Sequence, residues 1–377
     1  MAIDNGNNSN VPKKPLITIT PSTDQVILAL EERGFAVGLM ADGTTIKKEA
    51  RNIEDFLDLE KKASVTWIDY VVDNVKKEAP KIAKSLGFSE ALLSPLLKND
   101  RSSYEDLNNE LGIEVPAIVV NNFDVQLKRL IILIRGNLVV TMHTTEVRRF
   151  FRLRRYADIF LKKIKSNAKQ VDKLAVILIR ILDENNSRNF EHLREIEEAA
   201  DKVSAQLADS KVNRDTIGPQ IHHMKHAIVT YLNGLWATAD VFNSLRYGDA
   251  ELLTDDLKLL AKLDIIAKEV QSHISLAEHL SDVLIGGLEV MQSIYNNQLQ
   301  ILNNKMAMLV AYLTILGTAV LVPNTLATAL SSSVFALTPV DRDWYIELLL
   351  VSTIVSTLLA FWWVKRNGLL PRKPHEE

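Results

Sequence analysis

Thr314, Thr318, Thr325 and Thr328 are the threonines between Met306 and Leu330, a stretch with no charged residue. Their spacing of four, seven and three follows a 3.5-residue repeat, so on a helix the four hydroxyls share one narrow face. Continued upstream, the repeat meets Asn304, Gln300 and Asn297; downstream it meets Ser332. Neutral oxygens in that pattern have two uses. They can bond back to the preceding turn or hold membrane helices together. Alternatively, they can form a wettable track through apolar surroundings and line a pore. One helix encloses no lumen, so the second use requires several copies in a ring.

Other constellations are weaker. His222 and His226 stand four apart after Pro219 and could share a metal ion, but no third ligand has clear spacing. Arg148, Arg149, Arg152, Arg154 and Arg155, followed by Lys162, Lys163 and Lys165, form a basic run that reads as a solvated helix face, near anionic lipid head groups. The net charge of -3 gives no bulk attraction for nucleic acid. There is no cysteine, which removes disulfides, thiolate metal sites and cysteine catalysis. No Gly-rich phosphate loop or nucleophile elbow is present, so neither a nucleotide site nor an enzyme is expected, and no cofactor.

The elements that must position the threonines follow from hydropathy. Residues 306–331 read as a first transmembrane helix; its 25 residues to Leu330 rise about 37 Å, more than the ~30 Å hydrocarbon core. A second span covers 344–364, with Glu347 near its start, and 332–343 form the short loop between them. Lys305 precedes the first span, and a basic tail, 365–377, follows the second, so the positive-inside rule places both termini in the cytoplasm. No proline occurs between Pro219 and Pro323, so a stalk helix over 254–305 is expected to run unbroken into the membrane. Upstream, 146–253 read as a cytoplasmic helical region in which Pro219 and Gly248-Asp249 separate helices.

Residues 15–145 read as an α/β domain. LITIT (16–20) alternates as a strand; FAVGLMADGTTIKKEA gives two strands joined by an Asp42-Gly43 turn; SVTWIDYV (64–71) gives another. AIVVN, LKRLIILI and LVVTM complete the strand set, the last two joined through Arg135-Gly136-Asn137. The polar residues 1–14 read as a disordered lead-in, not a signal peptide. The fold class expected is α+β: a cytoplasmic α/β domain, then a long helical stalk continuous with the first of two C-terminal transmembrane helices.

This arrangement resembles the CorA-type magnesium and divalent cation transporters. VTWIDY through LIILIRGNLVVTMHTTEV resembles that family's strand, helix and hairpin core, and LSDVLIGGLEVMQSIYNN (280–297) its stalk before the membrane. LTILGTAVLVPNTLATA resembles its pore helix, with Pro323-Asn324-Thr325 at the family's Pro-x-Thr, and KRNGLL matches the basic stretch after the second span. The resemblance implies a homopentamer in the cell membrane. Thr325 would face the pore and Asn304 would form a polar ring at its cytoplasmic mouth. Where the family carries Gly-Met-Asn this chain has Ser332, Ser333 and Val334, so it is identified as a divergent member. For a regulatory cation, Asp282 and Glu289 match acidic stalk positions, whereas one family aspartate falls near Pro95 and its stalk partner near Ile265, with Asp264 adjacent.

The function expected is therefore passive, channel-like transport of a divalent cation, Mg²⁺ first, with the cation as cargo and possible regulator. Mg²⁺ dehydrates reluctantly, which suits neutral oxygens facing bound water. Asp341, Asp343 and Glu347 would concentrate cations at the outer mouth. The alternatives are a Zn²⁺, Co²⁺ or Ni²⁺ transporter, or a non-conducting membrane-anchored scaffold or sensor. The partners expected are further copies of the chain and membrane lipid.

Overall fold

The computed structural model describes residues 33–98, 103–121, 123–208, 217–247, 252–332 and 339–366. The expected strand at 16–20, the lead-in, Ser333, Val334, the Gly248-Asp249 break and the tail beyond Arg366 lie outside these residues. The chain divides into two units, one ending at Gly286 and one beginning at Gly287.

The first unit is built on a seven-stranded sheet. Its strands are β1 (Gly34–Leu39), β2 (Thr45–Ala50), β3 (Val65–Val71), β4 (Ser103–Asp106), β5 (Glu110–Asn121), β6 (Asp124–Arg135) and β7 (Leu138–His143). The spatial order is β2-β1-β3-β7-β6-β5-β4. Two antiparallel ladders, β2-β1-β3 and β7-β6-β5-β4, meet at one parallel pair, β3 with β7, where Asp69 is opposite Thr141. The strand positions expected from alternation agree with this sheet. Gly43 (φ +85°) and Gly136 (φ +57°) take the left-handed conformation that their turns require.

β3 and β7 are buried along their whole length, because helices cover both faces. On one face lie a 3₁₀ turn (Ile53–Phe56) and helices α1 (Leu57–Lys62), α2 (Val75–Ser85) and α3 (Glu90–Lys98). Phe56, Ile82, Leu86, Leu92 and Leu96 pack there on Ile68, Leu133, Val140 and Met142. α2 starts at Asn74, whose side chain accepts from Lys77 N, and stops before Gly87 (φ +79°). The other face is covered by α4 (Arg149–Leu161), α5 (Gln170–Asn186) and α7 (Ile217–Tyr247), while α6 (Asn189–Ala208) packs on α7. The apolar segment Leu174–Leu182 belongs to α5 and is mostly buried in this layer. Helices from both the expected α/β domain and the expected helical region therefore share one sheet.

α8 (Leu257–Leu330) is a single helix of 74 residues that continues across the boundary between the units. It starts three residues later than 254 because Asp256 caps it, its Oδ1 accepting from Lys258 N at 2.7 Å. Thr254 is instead buried outside the helix, where its hydroxyl donates to Asp172. In the second unit, a 3₁₀ turn (Pro339–Asp341) leads into α9 (Arg342–Arg366). α9 is longer at both ends than the apolar run, with Asp343 in its first turn and Lys365 and Arg366 in its last, each sign matched to the helix dipole.

Candidate functional site

α8 and α9 are long and apolar enough to cross a membrane, and their most apolar stretches are almost wholly exposed. Leu309, Val310, Leu313, Leu316, Val320 and Leu321 each keep more than half of their surface open. Apolar surface on that scale requires lipid or other copies of the chain to cover it.

Every threonine of the stripe bonds back to its own helix. Thr314 Oγ1 donates to Val310 O at 2.8 Å and Thr318 Oγ1 to Thr314 O at 2.7 Å. Thr325 Oγ1 reaches Val322 O at 2.8 Å and Leu321 O at 3.0 Å; Thr328 Oγ1 reaches Asn324 O at 2.7 Å. Ser332 Oγ does the same toward Ala329 O, at 2.7 Å. A hydroxyl has one proton and two lone pairs. With the proton committed to a carbonyl, the oxygen faces outward as an acceptor. Such a surface suits hydrogens of metal-bound water, or the cation itself. Ser352, Thr353, Ser356 and Thr357 on α9 bond back likewise, so this geometry alone does not mark a pathway.

The stripe is not of one kind along its length. Thr314 and Thr318 line a cavity of about 520 Å³ with Ser352, Val355, Ser356 and Leu359 of α9. Thr325 and Thr328 are exposed and stand outside this cavity. Of the four threonines expected to line a pore, two therefore border the second helix. Ala311 on α8 and Ser356 on α9 are buried, 7% and 8% exposed, among mostly exposed neighbours.

Asn304 is exposed on α8. Asp341 accepts from Trp344 Nε1 at 3.0 Å; Asp343 and Glu347 are exposed in the first turns of α9. Among the expected regulatory residues, Asp282 and Glu289 are exposed on α8. Asp264 differs from the expectation. Arg246 Nη1 lies 2.8 Å from its Oδ1 and Lys268 Nζ 2.8 Å from its Oδ2, so both oxygens already face cations. A carboxylate so neutralised does not fit a divalent ligand. His222, His223 and His226 are exposed, and among the described residues no group of three or more metal-binding side chains converges.

The basic run is the clearest departure from the sequence reading. Arg148, Arg152, Arg155, Lys162, Lys163 and Lys165 are exposed as expected, but Arg149 and Arg154 are buried. Arg154 Nε donates to Asp69 Oδ2 at 2.6 Å; Thr141 Oγ1 donates to Asp69 Oδ1 at 2.5 Å, and His143 Nε2 lies 3.1 Å from it. Asp69 is fully buried. Burial opposes its ionisation, but Arg154, His143 and Thr141 outweigh that and hold its carboxyl well below the usual range. Arg152 pairs with the buried Glu184 at 2.6 Å. The signal available in the sequence was Asp69 itself, a lone charge in the strand VTWIDYV, which burial obliges to find a cation.

A family model described as CorA-like Mg²⁺ transporter protein matches residues 62–366. No curated protein matches the chain. Among solved structures, the chain is similar to the complete CorA magnesium transporter of Methanocaldococcus jannaschii, with TM-score 0.65 and 18% identity over 89% of this chain and 98% of that one. It is similar to the full-length CmaX protein, with TM-score 0.56 and 19% identity over 89% of this chain and 98% of that one. It is also similar to the ZntB cytoplasmic domain of Vibrio parahaemolyticus, with TM-score 0.53 and 11% identity over 70% of this chain and 98% of that one. These likenesses show the fold.

Proposed function

We propose that this chain, which belongs to the CorA-like Mg²⁺ transporter protein family, passes a divalent cation, Mg²⁺ first among them, down its electrochemical gradient through a pore made by several copies of α8. The observation that carries this reading is the charge-free stretch of α8 from Met306 to Leu330, whose exposed threonine hydroxyls have their protons committed inward and their oxygens free. Mg²⁺ holds its water tightly, and a ring of neutral acceptors can pass it hydrated without binding it too firmly to release. An inside-negative potential supplies about 2.3 kcal/mol per charge per 100 mV, so about 4.6 for a divalent ion.

In this reading the copies form a ring, a pentamer by resemblance. Thr325 and Thr328 face the lumen, Asn304 its inner mouth, and Ser332, Asp341, Asp343 and Glu347 its outer mouth. The basic pair Lys365 and Arg366 at the end of α9 supports a reading with both termini on the cytoplasmic side of the cell membrane. The absence of cysteine disfavours a tight transition-metal site with thiolate ligands. A second reading, a non-conducting scaffold or sensor, is favoured by Ser332-Ser333-Val334 in place of Gly-Met-Asn.

The test is cation flux into proteoliposomes under an imposed inside-negative potential, with Mg²⁺, Zn²⁺, Co²⁺ and Ni²⁺ side by side and Thr325→Leu as control. Mg²⁺ flux lost in the variant supports the reading. Flux of the transition metals alone changes the cargo, and no flux from assembled protein leaves the scaffold.

A further inference from the structure

The first unit contains a second cavity, of about 490 Å³, that the proposed pathway does not use. Asn121 and Asp124 from the β5–β6 connection line it, with Arg148 and Arg149 at the start of α4 and Arg188 and His192 at the start of α6. Its size is that of a small-molecule site.

The charge in this cavity is out of balance. Arg149 is 9% exposed, and no carboxylate binds it. Its guanidinium donates to the carbonyls of Ile118 and Asn185. Burial pushes it down to about 10, the mark of a buried cation without a full counter-charge. Arg148 is exposed and forms no ion pair among the described residues. Arg188 makes one long contact, Nε to Glu191 Oε2 at 3.4 Å. On the negative side, Glu146 is held by Lys128 at 3.1 Å, and Asp124 accepts from Gln126 at 2.7 Å. Arg148 and Arg149 thus have no carboxylate partner among the described residues, Arg188 has only the long contact to Glu191, and Asp124 is the one lining carboxylate without a cation of its own. The N-terminal ends of α4 and α6 add positive potential.

A second observation points the same way. His192 Nδ1 is buried and has no hydrogen-bond partner. Burial, then Arg149 and Arg188, push this imidazole down to about 4; Glu191 is the carboxylate that opposes them. The ring is neutral near pH 7, with one polar atom unsatisfied.

We propose that this cavity binds a small organic anion through a phosphate or carboxylate group, held by Arg148 and Arg188 at the exposed side, with Arg149 beneath and His192 completing the hydrogen bonding. The anion would supply the missing counter-charge. It would also offset the part of the His192 shift that comes from Arg149 and Arg188, though not the larger part that comes from burial. The assignment is independent of whether α8 conducts.

The experiment is titration calorimetry on the full-length protein in detergent, with inorganic phosphate and with succinate, in buffers of different ionisation heat. One saturable site is expected for phosphate, succinate or both, and the arm that saturates assigns the group. Arg148→Gln with Arg188→Gln should weaken binding on the order of tenfold or more, from the loss of charged hydrogen bonds. His192→Gln should retain a site and change the proton exchange relative to the parent protein with the same anion at the same pH, a comparison that cancels the anion's own protonation. Neither anion saturating, or affinity unchanged in the Arg148→Gln/Arg188→Gln protein, overturns the proposal.

Discussion

Replacing Thr325 by valine removes one oxygen from each copy and keeps the branching and volume of the side chain. The hydroxyl proton is committed to Val322 O at 2.8 Å and Leu321 O at 3.0 Å, so what the pathway loses is an acceptor. A hydrogen bond involving a charged partner contributes about 1.5–3 kcal/mol. A hydrated divalent ion touching two copies at once therefore loses about 3 kcal/mol at the lower bound, on the order of a hundredfold in rate at tenfold per 1.4 kcal/mol. The assay is initial Mg²⁺ flux into proteoliposomes at fixed potential, with assembly checked by size exclusion. Thr325→Ser keeps the oxygen and should keep the flux; Thr325→Leu adds bulk and should block it. Flux of the valine protein within about twofold of the parent, with assembly unchanged, would refute the argument that these oxygens carry the ion.

Three further outcomes concern the first unit. Arg154→Met leaves Asp69 buried without its guanidinium, which should cost about 3–5 kcal/mol in chemical unfolding of the full chain; a loss below about 1 kcal/mol would remove the buried pair as a stabilising element. His192 has a folded value, about 4, below its ordinary value of 6.5, so the unfolded chain takes the proton first as pH falls. Stability should therefore decline between those two values, and His192→Gln should flatten the decline in melts across that range. A Cβ at Gly34 would stand 2.6 Å from Phe56 Cε2 and 2.9 Å from Tyr70 Cδ2, both ring atoms. Gly34→Ala should destabilise by about 1–3 kcal/mol, and an unchanged melting temperature would show that the rings give way.

Legibility in the sequence followed the strength of the local pattern. The Thr325 and Thr328 face needed only periodicity and an absence of charge, and the turns at Gly43 and Gly136 needed only their glycines. α3 was not expected, and Pro95 in LLSPLL weakens the helical pattern, yet the helix continues through it, with Leu92, Leu93 and Leu96 buried. β5 begins at Glu110, seven residues before the apolar run AIVVN, since Gly112 and Pro116 interrupt the pattern. Gly112 has its own reason: a side chain there would stand 2.5 Å from Leu96 Cδ1. β4 is short, polar and half-buried, with no signal in composition. Which side of α8 meets α9 was not legible either, because Thr314 and Thr325 are the same residue type on the same stripe. Burial of Arg149 and Arg154 depends on the layer that covers the sheet, and a charge run read alone looks solvated.

The parallel β3–β7 pair sets an order of assembly. The β7-β6-β5-β4 ladder closes through neighbours in the chain and β1 reaches β3 across one intervening strand, whereas Asp69 and Thr141 meet only after the longer segment between β3 and β7 has been placed. Loop-closure entropy disfavours such a pairing until the ladders stand, so the two ladders are expected to form first and the junction to consolidate last. The Asp69, Thr141, His143 and Arg154 cluster straddles that junction and acts as its fastener. Interactions made after the rate-limiting step hold the folded state by slowing its loss. Arg154→Met should accordingly speed unfolding far more than it slows refolding, and the reverse partition in stopped-flow kinetics would place the junction early. The lifetime of the folded sheet is then governed at its middle, not at its edges.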